Sequence, residues 1–317
     1  MRIGFFFAVA ACFVWGLIFI VPHFLSDFSP LEVALGRYFA FGLLSLALLL
    51  RKGVAQMVRF SRTVWIKALL FGLFSNILYY IGVVLGVRFA TPPVTVLILG
   101  LTPILVALYG NWYSREWSIK GMLIPFILLG IGMVLVNLSA FTPLSFSSEH
   151  IGKYLGGLLG ALVALLGWTW FAVENARFLK KSPEIPGGTW ATFLGATTFL
   201  WVVVLLPILH YFELIACQKF IEFNPATVRF FAWILVLGVV CSWIGCFLWN
   251  RASIYLPLSM IGFFIIFETL FGLLFVYLVE ARLPSFLEFL GIFLMVGGIL
   301  MSLRSFRLSK KREAVIH

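Results

Sequence analysis

One acid stands alone in the most apolar part of this sequence. Glu268 sits near the centre of the segment 257–279, flanked by Ile265, Ile266, Phe267, Thr269 and Leu270. A carboxylate at the centre of a bilayer costs about 2.5–3.5 kcal/mol on insertion scales, so such a residue faces a cavity or a partner. It suits a contact to the amine of a solute or an exchange of protons. The competing assignment is a hydrogen bond that only packs two helices.

Other polar and aromatic residues recur at helical spacing within apolar runs. Asn76, Tyr79 and Tyr80 follow an i, i+3, i+4 pattern and share one face. That face either lines a cavity, where an amide and two hydroxyls fix a solute's polar end, or bonds to a neighbouring helix. Trp15 and Trp168 lie deep in their runs and are cavity candidates, as is Trp243. Trp249 ends its run and fits an interfacial belt better. Arg37 lies about two turns into its segment, within reach of Glu32 or Asp27 by snorkelling. Glu174 and Arg177 are spaced i, i+3, as a local ion pair or a gate. Pro103 interrupts its segment, frees a carbonyl and permits a kink. The series Gly82, Gly86, Ala90 and Gly156, Gly160, Ala164 suit close helix packing.

The remaining chemistry is sparse. Cys12, Cys217, Cys241 and Cys246 form no C-x-x-C pair and read as core residues. No metal site or cofactor is expected. His23, His150 and His210 fall near segment ends. No H-E-x-x-H, G-x-S-x-G, Walker or dinucleotide pattern occurs, so neither an enzyme nor an ATP-driven pump is expected.

The elements that position these residues are legible in the composition. The chain has 317 residues, of which 62% are hydrophobic and 11% charged. Soluble domains have about 45–50% apolar and about 25% charged residues, so lipid is the expected solvent. Ten segments are long enough to span: 4–25, 30–50, 66–88, 92–113, 121–141, 153–178, 189–211, 228–249, 257–279 and 285–304. The first run continues past Cys12 to Val21, longer than a signal peptide's core, and reads as a retained helix. The tail, 306–317, is basic and expected to be disordered.

The net charge of +11 does not point to nucleic acid, because the cations cluster between apolar runs. With the N-terminus cytoplasmic, the inner segments hold Arg2, Arg51, Lys52, Arg59, Arg62, Lys67, Arg115, Lys120, Arg177, Lys180, Lys181, Arg251, Arg304, Arg307, Lys310, Lys311 and Arg312. The outer ones hold Arg88, Lys153, Lys219, Arg229 and Arg282. The positive-inside rule then places both termini in the cytoplasm.

The two halves also look alike. A shift of about 165 residues lays Pro92 on Pro257, Pro103 on Glu268, Trp112 on Tyr277 and Gly132 on Gly297. Residues 1–145 and 146–305 are therefore read as two five-helix repeats. With five spans each, the repeats enter the membrane from opposite sides, an arrangement that puts a solute site near the midplane.

These features resemble the EamA-type transporters of the drug/metabolite transporter superfamily. The resemblance rests on Trp15-Gly16, on Pro30 with Arg37, on prolines in the fourth and ninth segments, and on the acidic turns at Glu116 and Glu280. Further support comes from Gly36-Arg37-Tyr38, Asn76 to Tyr80, Leu101-Thr102-Pro103, Asn175-Ala176-Arg177, Trp249 to Ser253 and Ile266 to Leu270. It covers essentially the whole chain. It implies an all-α fold of ten helices in two inverted repeats in the bacterial inner membrane. It also implies export of amino acids or related small metabolites, by a monomer or homodimer, with protons as a candidate coupling ion. A flippase, a nucleotide-derivative carrier and a non-transporting scaffold or sensor remain as rivals.

Overall fold

The structure, a computed structural model, describes residues 2–52, 60–138, 151–220, 222 and 224–316. Arg59, His150, residues 139–141 of the fifth segment and the boundary between the halves at 145/146 lie outside them. Among the described residues there is no strand, and ten helices are long and apolar enough to cross a membrane. They are α1 Arg2–Phe24, α2 Pro30–Arg51, α3 Arg62–Ala90, α4 Pro92–Ser114 and α5 Ile119–Asn137. The second half holds α6 Ile151–Lys181, α7 Gly187–Tyr211, α8 Pro225–Tyr255, α9 Leu258–Val279 and α10 Phe286–Ser309. All ten expected segments are present.

Short polar residues start these helices by satisfying N–H groups that the first turn leaves open. Ser29 and Glu32 form a reciprocal capping box on α2, at 2.7 and 3.2 Å. Ser285 and Glu288 do the same on α10, at 2.7 and 3.3 Å. Asn224 Oδ1 accepts from the Thr227 N–H at the start of α8 (2.9 Å).

Several helices depart from α geometry where function would place a hinge or a site. Regular helix in α4 ends at Leu99 and resumes at Thr102, because Pro103 cannot donate to the preceding turn. The break expected at Pro103 is thus real. Residues Leu73–Leu78 of α3 and Leu237–Ile244 of α8 are π-helical. These stretches coincide under the 165-residue shift.

Helix polarity alternates, so one face of the bundle carries both chain ends. There Trp117, before α5, packs on Phe306 of α10 (5.8 Å), and Phe178 of α6 on Trp190 of α7 (4.6 Å). The tail does not end the order. α10 runs on to Ile316, against expectation, because Phe306 is buried and Ser305 bonds Gly121 O (3.0 Å).

The packing partners exchange in an orderly way. α2 lies on α7, α4 on α9 and α5 on α10. α1 meets α8 and α9, as α6 meets α3 and α4. The α3–α6 seam uses the small residues read from the sequence, with one correction. A Cβ at Gly82 would lie 2.3 Å from Gly160 O, but Gly156 meets nothing and Gly157 packs on Ala90 instead.

Candidate functional site

The site is built on the contrast within α9. Every residue from Leu258 to Ile266 is buried, so this half is enclosed on all sides. Its enclosure depends on α4. A Cβ at Gly262 would fall 2.2 Å from Pro103 O, and one at Gly110 2.3 Å from Leu258 O. Backbones approach so closely only because neither residue has a side chain. Glu116 completes the seal. Its carboxylate accepts from Ser259 Oγ (2.7 Å) and Ser259 N–H (3.3 Å), anchoring the α4–α5 turn to the start of α9.

Beyond Ile266 the enclosure opens. From Phe267 to Val279 only Gly272 and Tyr277 are buried, and in α4 only Thr95 is buried before Thr102. Glu268 is half-buried just past the seal. Among the described residues its carboxylate makes no hydrogen bond and no ion pair. It lies in the electrostatic field of Arg37, and Tyr79 and Cys241 lie in its own. α1 flanks it closely, with Cys12 Sγ donating to Phe264 O (3.2 Å) and Gly16 against Phe271 and Gly272.

Arg37 is aimed by Ser242 in the π-helical stretch of α8, through an Nε–H bond of 2.8 Å. It does not meet Glu32 or Asp27, the partners expected from sequence. Glu32 is used by the α2 cap and by Ala216 N–H (3.1 Å), and Asp27 pairs with Arg229 (2.8 Å). The four remaining N–H groups of Arg37 have no acceptor among the described residues.

Three indoles meet beside this pair. Trp15 Nε1 donates to Cys241 O (2.8 Å), with its ring 6.3 Å from Trp168 and 5.3 Å from Trp249. Trp168 and Trp249 are 6.1 Å apart. Trp249 is only 1% exposed, which overturns the interfacial-belt reading. The reason is that α8 continues to Tyr255, so Trp249 is interior to its helix. Trp249 Nε1 and Thr169 Oγ1 are buried without a hydrogen-bond partner among the described residues. An unmatched buried donor costs about 1–3 kcal/mol.

Several sequence candidates lie elsewhere. Asn76 Nδ2 donates to Thr198 Oγ1 (2.8 Å), joining α3 to α7. Tyr80 packs edge-on to Tyr38 (6.3 Å) and lines an apolar crevice with Leu205 and Leu209. Trp243 donates to Thr192 (3.2 Å) and stacks on Phe247. Pro103 packs on Gly262, some six residues or about 9 Å along α9 from Glu268. Glu174 and Arg177 do pair, at 2.5 Å, on the face that carries the chain ends. Ser242, Cys241 and Trp249 were missed as site residues. Only their position inside apolar helices signals them, and many packing residues share that property.

No group of three metal-ligating side chains occurs among the described residues. The arrangement offers one carboxylate, one guanidinium and an aromatic wall, which can hold a small dipolar solute.

Comparison with known proteins bears on this arrangement. Residues 2–138 match the EamA-like transporter family. The chain is 30% identical over 314 residues to the inner membrane protein YtfF of Escherichia coli (strain K12), covering 95% of each. It is 23% identical over 296 residues to the uncharacterized transporter YetK of Bacillus subtilis (strain 168), covering 92% of this chain and 84% of that one. A solved structure described only as a crystal structure of protein superposes with a TM-score of 0.72 at 18% identity. It covers 96% of this chain and 98% of that chain, and it shows the fold alone.

Proposed function

Because this chain belongs to the EamA-like transporter family, we propose that its central site carries a small zwitterionic solute, an amino acid or related metabolite, out of the cell. The single observation behind this reading is the unpaired Glu268 carboxylate, half-buried where the enclosed half of α9 gives way to the open half. Glu268 receives the amine of the solute. Arg37, held by Ser242, receives its carboxylate. Trp15 and Trp168 provide the apolar wall, and Tyr79 a hydroxyl.

Transport proceeds as secondary, alternating access. The two five-helix repeats rock about the central site, and the α4–α9 seal opens as the opposite half closes. The termini face is cytoplasmic. The positive-inside rule supports this, because the loops on that side carry most of the lysines and arginines. The resting arrangement is then closed toward the cytoplasm. Protons compete with the solute amine for Glu268, which couples flux to a pH gradient.

A flux screen in proteoliposomes tests this reading. Counterflow of amino acids is expected for the wild-type chain and falls roughly 10–100-fold in Glu268→Gln. The absence of flux for every amino acid tested, with or without a pH gradient, overturns it.

A further inference from the structure

An open groove of about 310 Å³ lies on the face that carries the chain ends. It is lined by Tyr113 at the end of α4, Arg177, Lys180 and Lys181 at the end of α6, and Leu258 at the start of α9. Twelve residues separate Trp168 from Lys180 on α6, about 18 Å, so this groove is remote from Glu268. Transport chemistry leaves it unused. Three of its five lining residues are cationic and none is a carboxylate.

The cations are arranged rather than dispersed. Arg177 is held flat over the Tyr113 ring, 3.5 Å from its centroid, and Glu174 fixes it from one side at 2.5 Å. Tyr109 in turn donates to Glu174 (3.1 Å), so the guanidinium is oriented before any ligand arrives. Lys180 donates to Leu256 O in the α8–α9 connection, which draws its ammonium toward α9. Lys181 stands exposed at the rim. The nearby acid Glu116 is committed to Ser259. A planar guanidinium with two ammonium groups matches the oxygens of a phosphate group.

The neighbouring aromatics favour a lipid as the source of that phosphate. Trp112 and Tyr113, at the end of α4, are 76% and 47% exposed. Large aromatics exposed at the end of a spanning helix mark the headgroup level. Basic pockets between helix ends at this level suit anionic headgroups. We propose that the groove binds the phosphodiester headgroup of an anionic phospholipid, which bridges α4, α6 and α9. Those three helices meet at the α4–α9 seal, so a bound headgroup holds the seal closed.

The test measures binding and stability, not flux, and so stands or falls apart from the transport reading. The full chain is reconstituted in nanodiscs of phosphatidylcholine with or without phosphatidylglycerol, and in detergent with inorganic phosphate. Phosphatidylglycerol is expected to raise Tm by roughly 1–3 °C, since a ligand that binds only the folded chain stabilises it. Lys181→Gln, on an exposed side chain that folding does not need, is expected to abolish most of the shift. Lys120→Gln, a cation on the same face outside the groove, is expected to retain it. A shift with inorganic phosphate but none with phosphatidylglycerol supports the phosphate site and overturns the lipid as its source. No shift with either, or an equal loss in both variants, overturns the site.

Discussion

The two halves of α9 face the same helix and behave differently. From Leu258 to Ile266 it is locked against α4 through two glycines and a carboxylate, and no residue is exposed. From Phe267 onward it is largely open. The exchanged packing partners would allow the open half to close on the first part of α4 as tightly as the enclosed half closes on the last. On the proposed alternating-access reading, this contrast marks the contact that differs between the two states. It also explains the position of Glu268, at the boundary between the halves, where a change of state alters its surroundings most.

The sharpest way to break this comparison is at the boundary itself. Glu268→Gln keeps the shape and removes the charge. Losing a charge-assisted contact worth about 1.5–3 kcal/mol lowers flux by roughly 10–100-fold. Glu268→Asp should restore part of it. Flux from Glu268→Gln equal to wild type would reduce the acid to a packing residue.

Substitution in the enclosed half should act on stability instead. Gly262→Ala places a methyl 2.2 Å from a backbone oxygen, which cannot rotate away. Overpacking of this kind costs about 1–3 kcal/mol, read as a lowered Tm. The matching change at Gly297, which lies inside its helix and meets nothing within 4 Å, should leave Tm unchanged or slightly raised. Equal effects at both glycines would show that the α4–α9 crossing carries no special load.

Glu116→Gln probes the latch more gently. It retains the shape of the cap and loses its charge. Amide exchange across 258–266 should quicken about tenfold, a loss near 1.4 kcal/mol, with the bundle otherwise intact. Unchanged exchange there would remove Glu116 from the seal.

The smallest effect is expected at the opposite end of α9. Glu280 bonds Arg282 (2.6 Å) and lies 3.3 Å from His23. The Arg282 guanidinium, with His23 adding to it, holds the Glu280 carboxyl below the ordinary carboxylate range. Its folded value is depressed, so its contribution is present above the ordinary carboxylate pKa of about 4.3 and is lost as pH falls through the lowered folded value. Amide exchange in the 280–288 turn should therefore stay constant from neutral to mildly acidic pH and rise only in stronger acid. An earlier rise would mean that this exposed cluster holds nothing in place.

Much of this was legible in residue order. Ten apolar runs, the break at Pro103 and the isolated acid at Glu268 follow from hydropathy and local stereochemistry, which act over a few residues. Trp249 was misassigned because its apolar run ends there while its helix does not. α10 continues past its apolar run, where Ser305 bonds α5 and Phe306 packs on Trp117. Tyr79 and Tyr80 share a spacing, yet one reaches the field of Glu268 and the other packs on Tyr38. Spacing fixes which side chains lie near one another on a helix, not what each one meets.

The sequence by itself determined that the chain lives in lipid, how many times it can cross, and that one carboxylate must be sheltered at mid-depth. Those outcomes follow from the cost of placing backbone and charge in hydrocarbon, which each segment meets alone. Only the tertiary structure decided that Gly262 meets Pro103, that Arg37 turns to Ser242 rather than Glu32, and that Glu268 is left without a partner. Those contacts join residues up to 205 positions apart. They depend on how ten similar helices pack, and hydropathy alone does not distinguish one apolar neighbour from another.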